Sequence, residues 1–137
     1  MKTLRTLIRL KKEDVEKLQK ELAAVLERQR VLQAEHDGLG QELERETLVA
    51  AEFPQAAAGF GSFAKRVIGR QKMLLENIKL LQAAIDKKRD ELLTEFGEQK
   101  KFEIALEQQQ LAAAGEAKRR EGIRMDEVAA RSFGRKE

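Results

Sequence analysis

Residues Leu4–Leu43 read LRTLIRLKKEDVEKLQKELAAVLERQRVLQAEHDGLGQEL. With Ile8 at heptad position a, one register continues to Leu43 without a slip, and nine of the twelve a and d positions are aliphatic. Spacings of three and four residues alternate along this seam, which is the period of left-handed coiled coils. The residues between seam positions are almost all strong helix formers. The stretch therefore predicts one helix of a coiled coil, with its seam at Leu4, Ile8, Lys11, Val15, Leu18, Leu22, Val25, Gln29, Leu32, His36, Leu39 and Leu43.

The composition of the 137 residues favours an elongated all-α fold over a compact core. Charged residues make up 37% of the chain and aromatic residues 4%, with no Trp and no Tyr. Aromatic side chains contribute much of the buried area in globular interiors, so their scarcity argues against such an interior. The chain has no cysteine, which excludes disulfides and cysteine-based metal sites. We expect no cofactor and no metal.

A second heptad pattern follows the first after a short interruption. The interruption, residues 52–62, contains the only proline, Pro54, and the glycines Gly59 and Gly61. The second seam consists of Leu74, Ile78, Leu81, Ile85, Lys88, Leu92, Glu95, Gln99, Phe102, Leu106, Gln109 and Ala113, four of which are Lys, Glu or Gln. Upstream of it, Phe60 and Val67 also fall at position d. We predict one coiled-coil domain over residues 1–137, with a helix at about 3–51, a loop at about 52–62, a second helix at about 63–130 begun by Ser62 as N-cap, and a tail to 137.

Two seams joined by a short connection predict an antiparallel hairpin. If the chain folds back near Ala57, Leu39 faces Leu74 or Leu75 and Leu32 faces Leu81. The same register brings Val25 near Lys88, Leu18 near Phe96 and Ile8 near Leu106. The second helix is the longer one, so residues from about 111 onward should extend beyond the N-terminus.

The net charge of +3 is unevenly distributed. Residues 1–12 carry five basic and no acidic side chains, and residues 118–137 carry seven basic and four acidic ones. The predicted hairpin brings these two segments together in one basic end. An acidic protein surface is the partner that such an end favours. A membrane-surface helix at the N-terminus and nucleic-acid binding are the alternatives, but no apolar run could span a bilayer and no aromatic platform suits single strands.

The sequence contains no recognisable catalytic machinery. The single histidine, His36, occupies a seam position, and no spacing of further ligands suggests a metal site. The segment Gly59-Phe60-Gly61 lacks both the phosphate-loop pattern and a preceding strand. We therefore predict that the protein is not an enzyme. Phe133, between Arg131 and Arg135, is an apolar anchor with a basic rim, which is typical of a binding hot spot. The alternative for this residue is an ordinary disordered tail.

Both ends of the chain resemble one known family. The opening Leu4–Lys12, which leads directly into the heptads, and the ending MDEVAAR at Met125–Arg131, followed by Phe133 and Arg135-Lys136, resemble the FliJ proteins of bacterial flagellar type III export. The resemblance implies an antiparallel coiled-coil stalk at the cytoplasmic face of the inner membrane. Its partners would be the export ATPase hexamer, the export-gate membrane protein and the export chaperones.

The resemblance also implies two sets of partner-binding residues. The open end, where the termini meet, would bind the ATPase ring and promote its assembly through Met125, Glu127, Arg131, Phe133 and Arg135. The middle of the hairpin would bind the export gate through Leu81, Ala84 and Ile85 on the second helix, with Leu39 and Leu43 facing them. A structural coiled-coil spacer without an ATPase partner is the main alternative, and a nucleic-acid-binding coiled coil is a further one.

Overall fold

The computed structural model describes residues 2–135, and the side chains of residues 3–134. Two α-helices, α1 (Lys2–Glu52) and α2 (Phe60–Arg135), are separated by a 3-10 turn at Pro54–Ala57. The described residues contain no strand. The prediction of an all-α fold built on two long helices is therefore confirmed.

The connection between the helices is shorter than predicted. Phe53 is extended, which is the conformation that the following proline imposes, and Pro54 then begins the 3-10 turn. Gly59 has a φ of 85°, a left-handed backbone conformation that is strained in any residue with a Cβ atom. The carbonyl of Gly59 accepts a hydrogen bond from the Phe63 amide at 3.0 Å, so α2 begins at Phe60 and not at Phe63. Ser62 therefore lies inside the first turn instead of capping it.

The chain falls into two compact units. Residues Val15–Thr94 form the first, which we call the hairpin unit. The second, which we call the terminal unit, consists of the described residues of Met1–Asp14 and Glu95–Glu137. The core of each unit is the predicted seam. Val15, Val67, Leu74 and Ile85 are buried in the hairpin unit, and Ile8 and Gln99 are buried in the terminal unit.

Polar contacts establish the antiparallel pairing within the hairpin unit. Lys88 Nζ donates a hydrogen bond to Glu21 Oε2 at 2.6 Å, and Arg70 Nη2 donates one to Glu35 Oε1 at 3.0 Å. Between these ion pairs, Gln29 Nε2 donates to Gln82 Oε1 at 2.9 Å. The further a residue of α1 lies from the turn, the further from the turn its contact on α2 lies, so the two helices of the unit run antiparallel.

The pairing register differs from the predicted one by one heptad. Gln29 Nε2 lies 3.4 Å from the carbonyl oxygen of Ile78, and Gln71 Nε2 lies 3.3 Å from that of His36. These contacts place the turn near Pro54 rather than Ala57. The register then sets Leu39 against Val67, Leu32 against Leu74, Val25 against Leu81 and Leu18 against Lys88. In this register Gln71 passes close to Gly40, where an added Cβ would meet Gln71 Nε2 at 3.2 Å.

In the terminal unit, the start of α1 packs against residues 95–103 of α2. Lys11 Nζ donates to Glu95 Oε2 at 2.8 Å and also contacts Glu98. Ile8, predicted to lie near Leu106, is thereby placed against Gln99. Leu106 is the last half-buried apolar residue of α2, and the extension beyond the paired part of the unit therefore begins near 107, a few residues before the predicted 111.

Candidate partner-binding surfaces

The C-terminal part of α2, residues 107–134, is an exposed helix that we call the tail. Every described side chain in it is exposed except that of Glu116, which is half-buried. The helix continues through Gly122 and Ser132 to Arg135, a few residues beyond the predicted end at about residue 130. Apart from Glu116, this helix has lost little of its surface to intramolecular packing, so nearly its whole circumference is open to a partner.

The predicted ATPase-binding residues lie on two different faces of the tail. Met125 and Phe133 are two turns apart on one face, with Ala129 between them, and they are 60% and 72% exposed. Glu127 and Arg131 are one turn apart on another face, because residues two positions apart do not share a side of a helix. Both are exposed. Arg135, the fifth residue of the set, has a side chain that lies outside the described ones.

The basic side chains of the tail are partly paired within the tail itself. Arg119 donates two hydrogen bonds to Glu116, of 2.7 and 3.0 Å, and Arg120 donates one of 3.1 Å. The bonds from Arg119 are the main reason that the pKa of Glu116 lies below its usual value. Among the described ion pairs of the tail none involves Arg124 or Arg131. Like Lys118, which also takes part in none of these described ion pairs, these two side chains are available to an acidic partner.

The N-terminal basic segment is arranged differently from the prediction. It packs beside Glu95, Glu98 and Glu103 of α2, instead of beside the basic residues 118–135. The hydrogen bonds to Glu95 and then Glu98 raise the pKa of Lys11 and hold its charge in a bridge. The reason is the register, which ends the pairing before the basic part of the tail begins. The predicted single basic end is therefore wrong for the described residues.

In the hairpin unit, the residues predicted to bind the export gate are mostly seam residues. Ile85 is 0% exposed, and Leu81 and Ala84 are half-buried. A partner on the surface of the unit can touch Leu81 and Ala84 but cannot reach Ile85. The physical reason is that Ile85 occupies position a, where the register sets it against Leu22.

Leu39 and Leu43 do not face Leu81–Ile85 as predicted. Leu39 lines a shallow groove of about 320 Å³ together with Phe63, Val67 and Arg70. Leu43 lines another groove, of about 540 Å³, with Thr47 and the exposed Leu48. In the observed register Leu81 and Ile85 are set against Val25 and Leu22 of α1, and Leu39 and Leu43 lie nearer the turn than these partners.

The structure identifies an apolar strip that sequence reasoning missed. Leu80 is 71% exposed and Met73, two turns earlier on the same face, is 57% exposed. Ala83 is exposed beside Leu80. The signal in the sequence was an aliphatic residue at heptad position c in two successive heptads, where a coiled coil normally presents polar side chains to water. We call Met73, Leu80 and Ala83 the outer strip.

The single histidine makes a local contact with the neighbouring residue of its own helix. His36 is half-buried in the seam, and its Nδ1 lies 3.1 Å from Asp37 Oδ1, a contact that lowers the pKa of Asp37. Over residues 2–135 no cluster of three or more His, Cys, Asp or Glu side chains is arranged to hold a metal ion. Neither described helix contains a stretch that is long and apolar enough to cross a membrane.

These features define a class of protein: a helical hairpin with an exposed helical extension and with its distinctive side chains on outer surfaces. The family model described as "Flagellar FliJ protein" matches residues 1–137, the whole chain. The chain therefore belongs to the FliJ family and is a flagellar export-related protein. Comparisons with curated proteins and with solved structures found no match.

Proposed function

We propose that the protein is a non-catalytic stalk of the flagellar export apparatus, whose tail enters the ring of the export ATPase and promotes assembly of the ATPase hexamer. The observation that carries this proposal is the tail itself, an exposed helix with an apolar face at Met125 and Phe133 and a charged face at Glu127 and Arg131. A partner that covers one side of a helix would leave the other of these faces in water. The lumen of a ring surrounds a helix and can contact both.

The two faces would contribute to binding in different ways. Burial of large apolar side chains at the centre of an interface provides most of the affinity of typical complexes. Exposed arginines mainly accelerate association and make it sensitive to salt. We therefore assign affinity for the ring to Met125 and Phe133, and electrostatic attraction to Arg124 and Arg131.

The hairpin unit would provide the contact with the export gate. The outer strip is the exposed apolar surface next to Leu81 and Ala84, and it can be covered without opening the seam. Binding to the ATPase ring and to the export gate couples these two partners only if the affinity for one depends on the state of the other, because coupling is a difference in binding free energy. Handling of export chaperones belongs to the same proposal, and the unpartnered apolar side chains of α2 are the surface it would use.

Titration of the cognate export ATPase with variants of the full chain tests the tail assignment. Phe133→Ala should weaken binding at least tenfold, because a buried aromatic anchor contributes on the order of 2 kcal/mol or more. Leu93→Ala is the matched control, since Leu93 is 70% exposed on the same helix but lies outside the tail. Equal loss of affinity in both variants, or no loss in either, would contradict the assignment.

A salt series separates the two faces. Arg131→Glu should weaken binding at low salt and should flatten the dependence of affinity on salt concentration. Phe133→Ala should leave that dependence unchanged. An Arg131→Glu protein with wild-type affinity at every salt concentration would rule out the charged face as a contact. Absence of ATPase binding by the wild-type chain, together with self-association, would favour the structural spacer.

A further inference from the structure

The seam of the hairpin unit is not matched as well as its residues allow. In the observed register two aliphatic residues face polar ones: Leu18 is set against Lys88, and Gln29 is set against Ile78, whose carbonyl it contacts at 3.4 Å. A polar residue opposite an apolar one weakens a coiled-coil layer, whereas two polar residues opposite each other can hydrogen-bond. The unit therefore retains mismatched layers although its heptads permit other pairings.

In the hairpin unit, a register displaced by one heptad removes both of these mismatches, and in exchange it sets His36 against Ala64 instead of Gln71. If every α1 residue pairs with the α2 residue seven positions earlier, all a and d positions stay in the seam, because the displacement equals the repeat. Gln29 then faces Gln71, and Leu18 faces Leu81. The remaining apolar layers in this displaced register are Val15 with Ile85, Leu22 with Ile78, Val25 with Leu74, Leu32 with Val67 and Leu39 with Phe60.

The displaced register is also compatible with the connection between the helices. It requires the chain to turn over a longer segment, at the expense of the end of α1. Residues 44–52 bury little in the observed structure: all are exposed except Ala50. Lengthening a connection costs little loop entropy, so the main losses are the half-buried Leu43 and the last turns of α1.

Among the contacts of the hairpin unit that distinguish the registers, two ion pairs lie at the edges of the seam. Glu21 pairs with Lys88 and Glu35 pairs with Arg70 only in the observed register. The displacement would separate both pairs and would bring Arg70 beside Arg28, where two like charges repel. Both ion pairs are half-exposed, so they are individually weak but specific for one register.

We propose that the two helices of the hairpin unit can pair in two registers, the observed one and one displaced by a heptad. The Glu21–Lys88 and Glu35–Arg70 pairs favour the observed register. The displacement moves α1 along α2 by about 10 Å, seven residues at ~1.5 Å each. This proposal rests only on which side chains face each other across the seam, so it does not depend on the proposed function in export.

Disulfide formation measures the register directly, because the natural chain contains no cysteine. The full-length protein carrying Val25→Cys and Leu81→Cys reports the observed register. The matched protein carrying Val25→Cys and Leu74→Cys reports the displaced one. A disulfide requires Cα atoms within about 7 Å, so a displacement of one heptad prevents one bond and permits the other. With wild-type charges we expect the first protein to cross-link and the second to remain reduced.

Charge reversal should then exchange the two results. Glu21→Lys with Arg70→Glu creates repulsion at both ion pairs of the observed register, and in the displaced register it sets a glutamate against Arg28. Cross-linking at Leu74→Cys should rise at least several-fold while that at Leu81→Cys falls. Adding Lys88→Glu and Glu35→Arg re-forms both pairs with exchanged signs and should restore cross-linking at Leu81→Cys.

Two results would overturn the proposal, and circular dichroism of each variant shows which of them applies. Continued cross-linking at Leu81→Cys alone, with the helix content retained, would mean that other contacts fix the register. Loss of both cross-links in the charge-reversed protein would mean that the pairs only hold the helices together and that the second register is not stable.

Discussion

Replacing Leu74 and Leu80 separately by alanine tests whether the seam, and not the total apolar content of α2, holds the hairpin unit together. The two leucines lie six residues apart on the same helix and undergo the same chemical change. Leu74 is 0% exposed and is set against Leu32, whereas Leu80 is 71% exposed on the outer strip. Any difference in effect therefore reports burial alone.

The structure gives the expected magnitudes. Removing a fully buried leucine side chain costs its transfer free energy plus the cost of the cavity, in total about 3 kcal/mol. Leu80 keeps less than a third of its surface buried, so Leu80→Ala should cost about 0.5 kcal/mol or less. Both changes leave an alanine, which is the best helix former, so helix propensity favours neither variant over the other.

Urea denaturation followed by circular dichroism measures both free energies of unfolding. Leu74→Ala should lower the unfolding midpoint strongly, and Leu80→Ala should leave it close to that of the wild type. Leu80→Ala should nevertheless weaken binding to the export-gate protein, because the outer strip is the proposed contact. Equal destabilisation by the two substitutions would refute the assignment of the seam and, with it, the register.

Three further outcomes are expected. Gly59→Ala should destabilise the protein by about 1 kcal/mol or more, because Gly59 has a φ of 85°. Gly97 lies inside α2 with nothing within 4 Å of an added Cβ, so Gly97→Ala should stabilise the protein by about 0.5–1 kcal/mol. Thermal melts show whether each substitution lowers or raises the melting temperature. The hydrogen bond from Lys88 lowers the pKa of Glu21, so this pair should stabilise the fold fully above the ordinary carboxyl pKa of 4.5 and lose that effect as the pH falls through the lowered pKa. The melting temperature should therefore fall more steeply in acid for the wild type than for Glu21→Gln, and identical acid titrations of the two proteins would contradict this. The pKa of Lys88 is raised by the same bond, so the stabilisation is complete below 10.5 and is lost as the pH rises through the raised value, which the Glu21→Gln protein should not show in an alkaline titration.

The helices and their seam could be predicted from the sequence because heptad spacing is a local property. The buried residues Ile8, Val15, Leu74 and Ile85 all occupy predicted seam positions. The ends of α2 were less predictable. Gly61 and Ser62 suggested a later start, yet a single residue with positive φ, Gly59, completes the turn.

The register could not be predicted from the seam, because registers one heptad apart place the same residues between the helices. The choice depends on contacts at the edges, such as Glu21 with Lys88 and Lys11 with Glu95, and on the length of the turn around Pro54. The seam pattern contains neither. The error had a consequence for the candidate sites, since it placed the N-terminal basic segment one heptad nearer to the basic tail. The placement of Leu39 and Leu43 against Leu81–Ile85 came from the family resemblance and fits neither register.

The candidate site on the tail was accessible to sequence reasoning only in part. Phe133 stands out in the sequence as an aromatic residue between two arginines, beyond the last seam position, and it is 72% exposed. That Met125 and Phe133 lie on a different face from Glu127 and Arg131 follows only once the helix is known to continue to Arg135. Leu80 was overlooked because it adjoins the seam residue Leu81.

The central claim is that the tail promotes assembly of the export ATPase. The most direct measurement is the ATPase activity and the oligomeric state of the cognate enzyme, with the full chain and with a chain that lacks residues 124–137. We predict stimulation and hexamer formation with the full chain, and loss of both with the shortened chain, whose hairpin unit is unchanged. Equal stimulation by the two chains, or none by the full chain, would contradict the account.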